Sequence, residues 1–376
     1  MKNKKILVNT FPLKDGGGQT HIHKIIENLK EEKSLEVIIL KSKFSNLNFE
    51  KSNVELHETI FPVNNPILRI FYEIFYIPIL LFKNRVDVLF CPGGISISWT
   101  PKNCKKVTMF RNMQPFVKEL VRNEVSFLKK IRIFLIKFLM LKSFKDSDLV
   151  IFISNYAEEV IKKNLTKPLK KTVLINHGVD MNSSKIHNDV LKIYNFREPF
   201  IIYPSSIESY KSQIEVIKAY SIAKEKLLQE MPNLYLIGSI NNKKYFQALK
   251  KYIKKFNLEN KIFFTGKIEF QHMPTIYQLS LMVIFASKTE NCPNILLEAI
   301  AMNKLILCSS NEPMPEFGKD SVIYFNPNSS FELSEKLVQI LEDKKMINFY
   351  QEKTKNIKIP SWEDCANKTW KELRSI

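Results

Sequence analysis

The sequence predicts an α/β protein of the parallel-sheet kind, divided into two domains. Three observations predict it. At 376 residues the chain is longer than one hydrophobic core usually serves, so two domains are the default. Short apolar runs recur along its length between polar segments, as fully buried strands do. The stretch from Leu281 to Ser309 reads strand, loop, helix, strand, which is one complete βαβ unit.

Taken in order, the expected strands of the first half are Lys5–Asn9, Leu35–Leu40, Val86–Phe90, Lys105–Met109, Leu149–Ile153 and Thr172–Ile175. Those of the second are Pro199–Tyr203, Leu234–Ile237, Ile262–Phe264, Leu281–Phe285, Leu305–Cys308 and Val322–Phe325. Helices are expected over Gln19–Lys30, Pro293–Met302, Ser330–Glu342 and Ser361–Ile376, and Ser154 suits an N-cap. Pro293 fits a first helical position, where its missing N–H costs nothing. The chain has nine glycines, and most follow an apolar run closely: Gly16 to Gly18, Gly93 and Gly94, Gly178, Gly238 and Gly266. Ligands of parallel sheets bind outside the carboxyl ends of the strands, and glycine lets a backbone come close to them. Any one of these glycines is equally a turn glycine; the pattern across the chain points to a ligand.

Composition narrows the class. No run approaches the roughly 20 apolar residues of a membrane span, and Met1-Lys-Asn-Lys-Lys5 does not open a signal peptide. The five cysteines, an odd number with no CxxC pair, fit reduced thiols, so a cytoplasmic protein is expected, without disulfides or structural zinc. The net charge of +19 is uneven: Lys102 to Lys145 holds 12 Lys/Arg against two acids, Glu119 and Glu124. Within it, Ser126–Lys145 has twelve apolar residues in 20, six basic and none acidic. Such a helix either lies on an anionic membrane surface or is a core helix with a solvated basic face. Pro66–Phe82 is apolar and aromatic, broken by Arg69, Glu73 and Pro78, and reads as a buried or half-buried helix, with a membrane-dipping helix as the alternative. No RRM, KH or helix-turn-helix pattern occurs, so nucleic acid is not an expected partner. No DxD motif or His/Asp cluster suggests a metal, and no cofactor is expected.

The most informative residues are two acids of different placement. Glu290 lies in the loop beyond a strand's carboxyl end; Glu298 lies one to two turns inside the next helix. Between them, the helix N–H groups from Asn294 onward are expected to stand open as an anion site, strengthened by the helix dipole. A diphosphate with a hydroxyl-rich group at either end fits that layout, and a nucleotide-sugar is such a ligand. Read blandly, Glu290 helps cap the helix and Glu298 is a solvated helix acid.

Glu290-Asn-Cys-Pro-Asn-Ile-Leu-Leu-Glu298-Ala resembles the Glu-x7-Glu signature of retaining glycosyltransferases of the GT-B fold, in particular glycosyltransferase family 4. The resemblance spans nearly the whole chain. It implies two Rossmann-like domains facing a central cleft: residues 1–180 on the acceptor side, a linker over 181–197, a nucleotide-sugar domain over 198–358, and a final helix over 359–376 crossing back. It also implies donor contacts at Gly17, Gly18, Ser206, Lys211, Gly266, Lys267, Ile268, Glu290, Asn291, Cys292, Asn294, Ile295 and Glu298. Lys211 takes the place of the family's diphosphate-binding lysine, while the paired arginine is replaced near Ser205 or Ser206. In Phe110-Arg-Asn-Met-Gln-Pro115 the family's usual histidine is absent, and Arg111, Asn112 and Gln114 become the acceptor-side candidates. Asn112 joins Glu290 and Lys211 as a catalytic candidate. His177, in Asn176-His-Gly-Val-Asp180, reads as a hinge residue.

The expected activity is transfer of a hexosyl or N-acetylhexosaminyl group from a nucleotide-sugar, UDP-linked by preference, with retention of configuration. The expected acceptor is a surface glycan, lipid-linked or lipopolysaccharide, met at the inner face of the plasma membrane. A sugar-nucleotide epimerase of the same fold and a non-catalytic nucleotide-sugar-binding subunit are the competing readings.

Overall fold

A computed structural model describes residues 3–13, 17–43, 45, 47–118, 126–181 and 189–376. The chain divides into two compact units, Met1–Gly178 with Pro360–Ile376, and Val179–Ile359.

The first unit is built on a seven-stranded sheet in the order β3-β2-β1-β4-β5-β6-β7. Its strands are β1 Lys4–Asn9, β2 Leu35–Ser42, β3 Val54–Thr59, β4 Val88–Cys91, β5 Lys105–Met109, β6 Leu149–Phe152 and β7 Thr172–Leu174. All neighbours pair in parallel. Ile6, Val88, Leu89, Val107 and Ile151 are wholly buried, which is why these runs are uniformly apolar rather than alternating. β3 is missing from the expected list; its sequence, VELHET, is too polar to read as a buried strand, and it lies at the sheet edge.

Right-handed crossovers place the connections β3→β4, β4→β5 and β5→β6 on one face of this sheet, opposite the Gly17–Glu27 helix. Two bonds bear this out: Ser96 N–H donates to Ser143 Oγ at 2.9 Å on the Phe127–Asp146 helix, and Ile97 N–H donates to Glu73 on the other side. The β3→β4 connection carries the half-buried helix expected over Pro66–Phe82, refined in one respect: its α-helical stretches Pro66–Phe71 and Ile77–Lys83 are joined by a π-turn at Tyr72–Tyr76. Pro78 cannot donate to the carbonyl four residues back, and the helix widens just before it. Tyr72, Glu73, Ile77 and Leu81 point inward, while Ile67, Phe71, Phe75, Ile79 and Phe82 are exposed.

The Phe127–Asp146 helix is also apolar on its outer side. Phe127, Leu128, Ile131, Phe134, Leu135 and Phe138 recur at helical spacing and are exposed. Only its last turns are buried, through Met140, Ser143 and Phe144.

The second unit carries a six-stranded parallel sheet in the order β10-β9-β8-β11-β12-β13. Its strands are β8 Phe200–Pro204, β9 Asn233–Ile237, β10 Ile262–Gly266, β11 Val283–Phe285, β12 Ile306–Ser309 and β13 Ile323–Phe325. Strand order reverses between β8 and β11, so the loops leaving those two strands open at a switch point, where doubly wound sheets bind ligands.

The expected linker differs in extent. Residues 182–188 lie outside the described residues, but Val190 and Phe196 are buried in the core of the second unit, so the stretch from 189 is packed, not a free tether. The Trp362–Ser375 helix belongs to the first unit, where a capping box between Ser361 and Asp364 starts it. Trp370 Nε1 donates to Ile25 O at 2.7 Å on the Gly17–Glu27 helix.

Candidate active site

In the second unit, the loop after β8 carries Lys211 and the loop after β11 carries Glu290. They are 79 residues apart in sequence and form an ion pair, with side chains 8% and 17% exposed. The two loops are also joined through the backbone, Lys288 N–H donating to Tyr210 O at 2.8 Å. Tyr203, wholly inside the sheet, donates its hydroxyl to Lys211 O at 2.5 Å and holds that turn. Burial works to lower the pKa of the Lys211 ammonium, but the Glu290 carboxylate and Tyr210 outweigh it, so the net shift is upward and the charge is kept.

The Asn294–Ala301 helix begins beside this pair, with Pro293 at its N-cap rather than its first helical position. Contrary to expectation, Asn294 N–H is not open but donates to Cys292 O at 3.0 Å. Glu298 is more enclosed than a surface helix acid. Tyr277 donates to its carboxylate at 3.0 Å, and burial pushes its pKa up to about 7. Tyr277 is a residue that sequence reasoning missed; it stands in an apolar helix with nothing in its spacing to mark it.

Around the switch point, Ser206 O accepts from Gln213 Nε2 at 2.9 Å. Asn291 is buried, Cys292 and Ile295 are half-buried, Ile268 is buried and Lys267 is exposed. Gly238 and Gly266 are tied by a bond from Gly238 N–H to Gly266 O at 2.8 Å. A Cβ on Gly238 would stand 2.4 Å from Ser205 O, and its φ of +147° is one that side chains resist. Gly266, at φ +72°, has open space where a Cβ would be.

In the first unit, the structure brings Gly17, Gly18 and Arg111 together. Arg111 donates to Gly17 O at 2.5 Å and to Gly18 O at 3.2 Å. Asn112 and Gln114 are exposed, with Asn112 Oδ1 accepting from Gln114 N–H at 3.2 Å. Behind Arg111, His21 and His177 pack with ring centroids 5.0 Å apart, and Trp362 lies against both. Burial, then the Arg111 and His177 charges, hold His21 well below the usual imidazole range, so it is neutral. His177 thus has a packing role at the end of the first unit.

Two parallel sheets with this strand order, and an acid and a lysine converging at a switch point, define a doubly wound α/β protein with its candidate ligand site there. Residues 15–183 match the family model of Glycosyltransferase Family 4, and residues 190–357 match that of Glycosyl transferases group 1. The chain belongs to the group 1, family 4 glycosyltransferases and has their GT-B fold. It is 25% identical over 365 residues to an uncharacterized glycosyltransferase of Methanocaldococcus jannaschii, covering 91% of this chain and 90% of that one. Among solved structures it resembles a glycosyltransferase from Rickettsia africae, with a TM-score of 0.72 and 19% identity over 100% of this chain and 99% of that one. It also resembles WaaG, a glycosyltransferase involved in lipopolysaccharide biosynthesis, with a TM-score of 0.73 and 13% identity over 98% and 99% of the two chains. Anabaena HepE, solved in complex with UDP and glucose, gives a TM-score of 0.69 and 15% identity over 99% and 100%.

Proposed function

We propose that this glycosyltransferase moves a hexosyl or N-acetylhexosaminyl group from a UDP-sugar to a surface glycan at an anionic membrane face, retaining anomeric configuration. The buried Lys211–Glu290 pair at the switch point is the observation that carries this reading. Cleavage of the bond from the anomeric carbon to the diphosphate builds negative charge on the leaving group. Lys211 and the start of the Asn294–Ala301 helix stabilise that charge where solvent is largely excluded. Glu290 holds Lys211 in place and positions the sugar, while Glu298 accepts from the ribose hydroxyls. The complexes of HepE with UDP and with UDP-glucose support the choice of a UDP-sugar.

The acceptor side rests on the outer face of the first unit. Two apolar helical stretches lie there on one side of the sheet, and Lys129, Lys130 and Arg132 are exposed beside the Phe127–Phe138 stripe. Exposed apolar surface framed by lysine suits a lipid headgroup layer. Among the described residues no helix is long and apolar enough to cross a membrane, so contact would be peripheral. The test is transfer assayed with a panel of UDP- and GDP-sugars and membrane extracts as acceptor. A UDP-sugar turned over only when acceptor is added supports the reading; rearrangement of the donor alone would favour an epimerase.

A further inference from the structure

The same face of the first unit holds a cavity that the proposed reaction does not use. Its volume is about 330 Å³, and it lies between the segment after β4, the start of β5 and the last turns of the Phe127–Asp146 helix. At its base is Lys106, only 7% exposed, whose ammonium donates to Ser98 O at 2.6 Å and has further N–H groups to give. Ser98 is 1% exposed, and its hydroxyl has no hydrogen-bond partner. A buried hydroxyl left so is costly unless a ligand or water completes it. Lys142 and Asp146 are exposed at the rim, and Trp99, 59% exposed, stands beside them.

This set of groups mixes donors with an acceptor, as a polyol requires. Asp146 acts electrostatically on Lys106 and so offsets its charge, and Lys142 stands exposed at the rim. Lysine and serine donors, a carboxylate acceptor and an indole with an open face match a sugar ring, which has hydroxyls at its edge and an apolar side. We propose that the cavity is a second saccharide-binding site that takes one neutral pyranose unit. Arg111 stands five residues beyond Lys106, about 16 Å along extended chain. The site would therefore hold a glycan unit remote from the one that reacts. The inference rests on reading the acceptor as a glycan.

The experiment follows the indole N–H signals of the full chain by NMR, with Trp99→Phe to assign Trp99 and the buried Trp362 and Trp370 as internal references. Methyl glycosides of glucose, galactose, mannose and N-acetylglucosamine are titrated, with potassium phosphate as a control. At least one glycoside is expected to move the Trp99 signal saturably. Ser98→Ala and Asp146→Asn should each weaken that binding by about fivefold, the size of one lost hydrogen bond. The proposal is overturned if no glycoside moves the signal, if both variants respond as the parent does, or if phosphate alone moves it. Turnover is assayed separately. Intact transfer without a Trp99 response rejects the cavity alone; a Trp99 response without transfer rejects the reaction alone.

Discussion

On the proposed reaction, Lys211 and Glu290 have two duties that mutation can separate. Removing one partner of a buried pair leaves the other charge uncompensated, at about 3–5 kcal/mol. Lys211→Met and Glu290→Gln should therefore each lower the unfolding midpoint as well as cut transfer, the activity loss being about 100- to 1,000-fold. The double variant should recover most of the stability and none of the activity; a double variant that transfers normally would remove the pair from the chemistry. Glu298 has its own signature. Its carboxyl titrates near 7 in the folded chain against an ordinary 4.5. Between those values the folded chain holds a proton that the unfolded chain releases, so this group's contribution to stability falls as pH rises, by roughly 3 kcal/mol in all. Donor affinity should move the opposite way, strengthening as pH rises through 7 and the carboxylate becomes a full acceptor. Glu298→Gln should flatten both curves, measured as melting temperature and donor KM between pH 5 and 8, about the range where the group titrates. In the sequence, loop and helix position single out both acids, and only the family resemblance singles out the lysine. Their pairing, and the Tyr277 bond that encloses Glu298, were not legible there, because each depends on side chains meeting from distant segments.

At the scale of elements, the Phe127–Asp146 helix tests the membrane reading. Neutralising Lys129, Lys130 and Arg132 should weaken binding to anionic vesicles by about 100-fold, near 1 kcal/mol for each charge. Co-sedimentation that does not change would return the helix to a solvated role. Its apolar and basic composition was plain in the sequence. Which side faces out was not, since apolar residues lie on both sides; packing of Met140, Ser143 and Phe144 decides it. The β9 and β10 turns offer a sharper contrast. Gly238→Ala should cost about 2–3 kcal/mol through strain at a left-handed backbone, made worse by collision with Ser205 O. Gly266→Ala meets no atoms and should cost only about 1 kcal/mol. Equal thermal shifts for the two would contradict this account.

For the whole molecule, the two-unit α/β plan could be read from length, recurring apolar runs and trailing glycines. The edge strand β3 escaped because it is half polar, and the π-turn escaped because Pro78 widens a helix that composition alone describes as continuous. The unit boundaries depend on contacts rather than composition: Val190 and Phe196 are apolar residues in a polar stretch, and burial assigns them. Ending the chain after Ile359 should unfold the first unit, because Trp362, Trp370 and Leu373 are buried there. The second unit, residues 179–359, should fold alone around its own core, checked by circular dichroism and thermal melting.

Gly178 also has a consequence for ancestry. A Cβ there would come within 2.3 Å of the Trp362 backbone, so the chain leaves and re-enters the first unit at adjoining points. The second unit is in effect a cassette spliced into a host, with both seams side by side. A second unit borrowed from another member of the family could be grafted between 178 and 360 without rethreading the host.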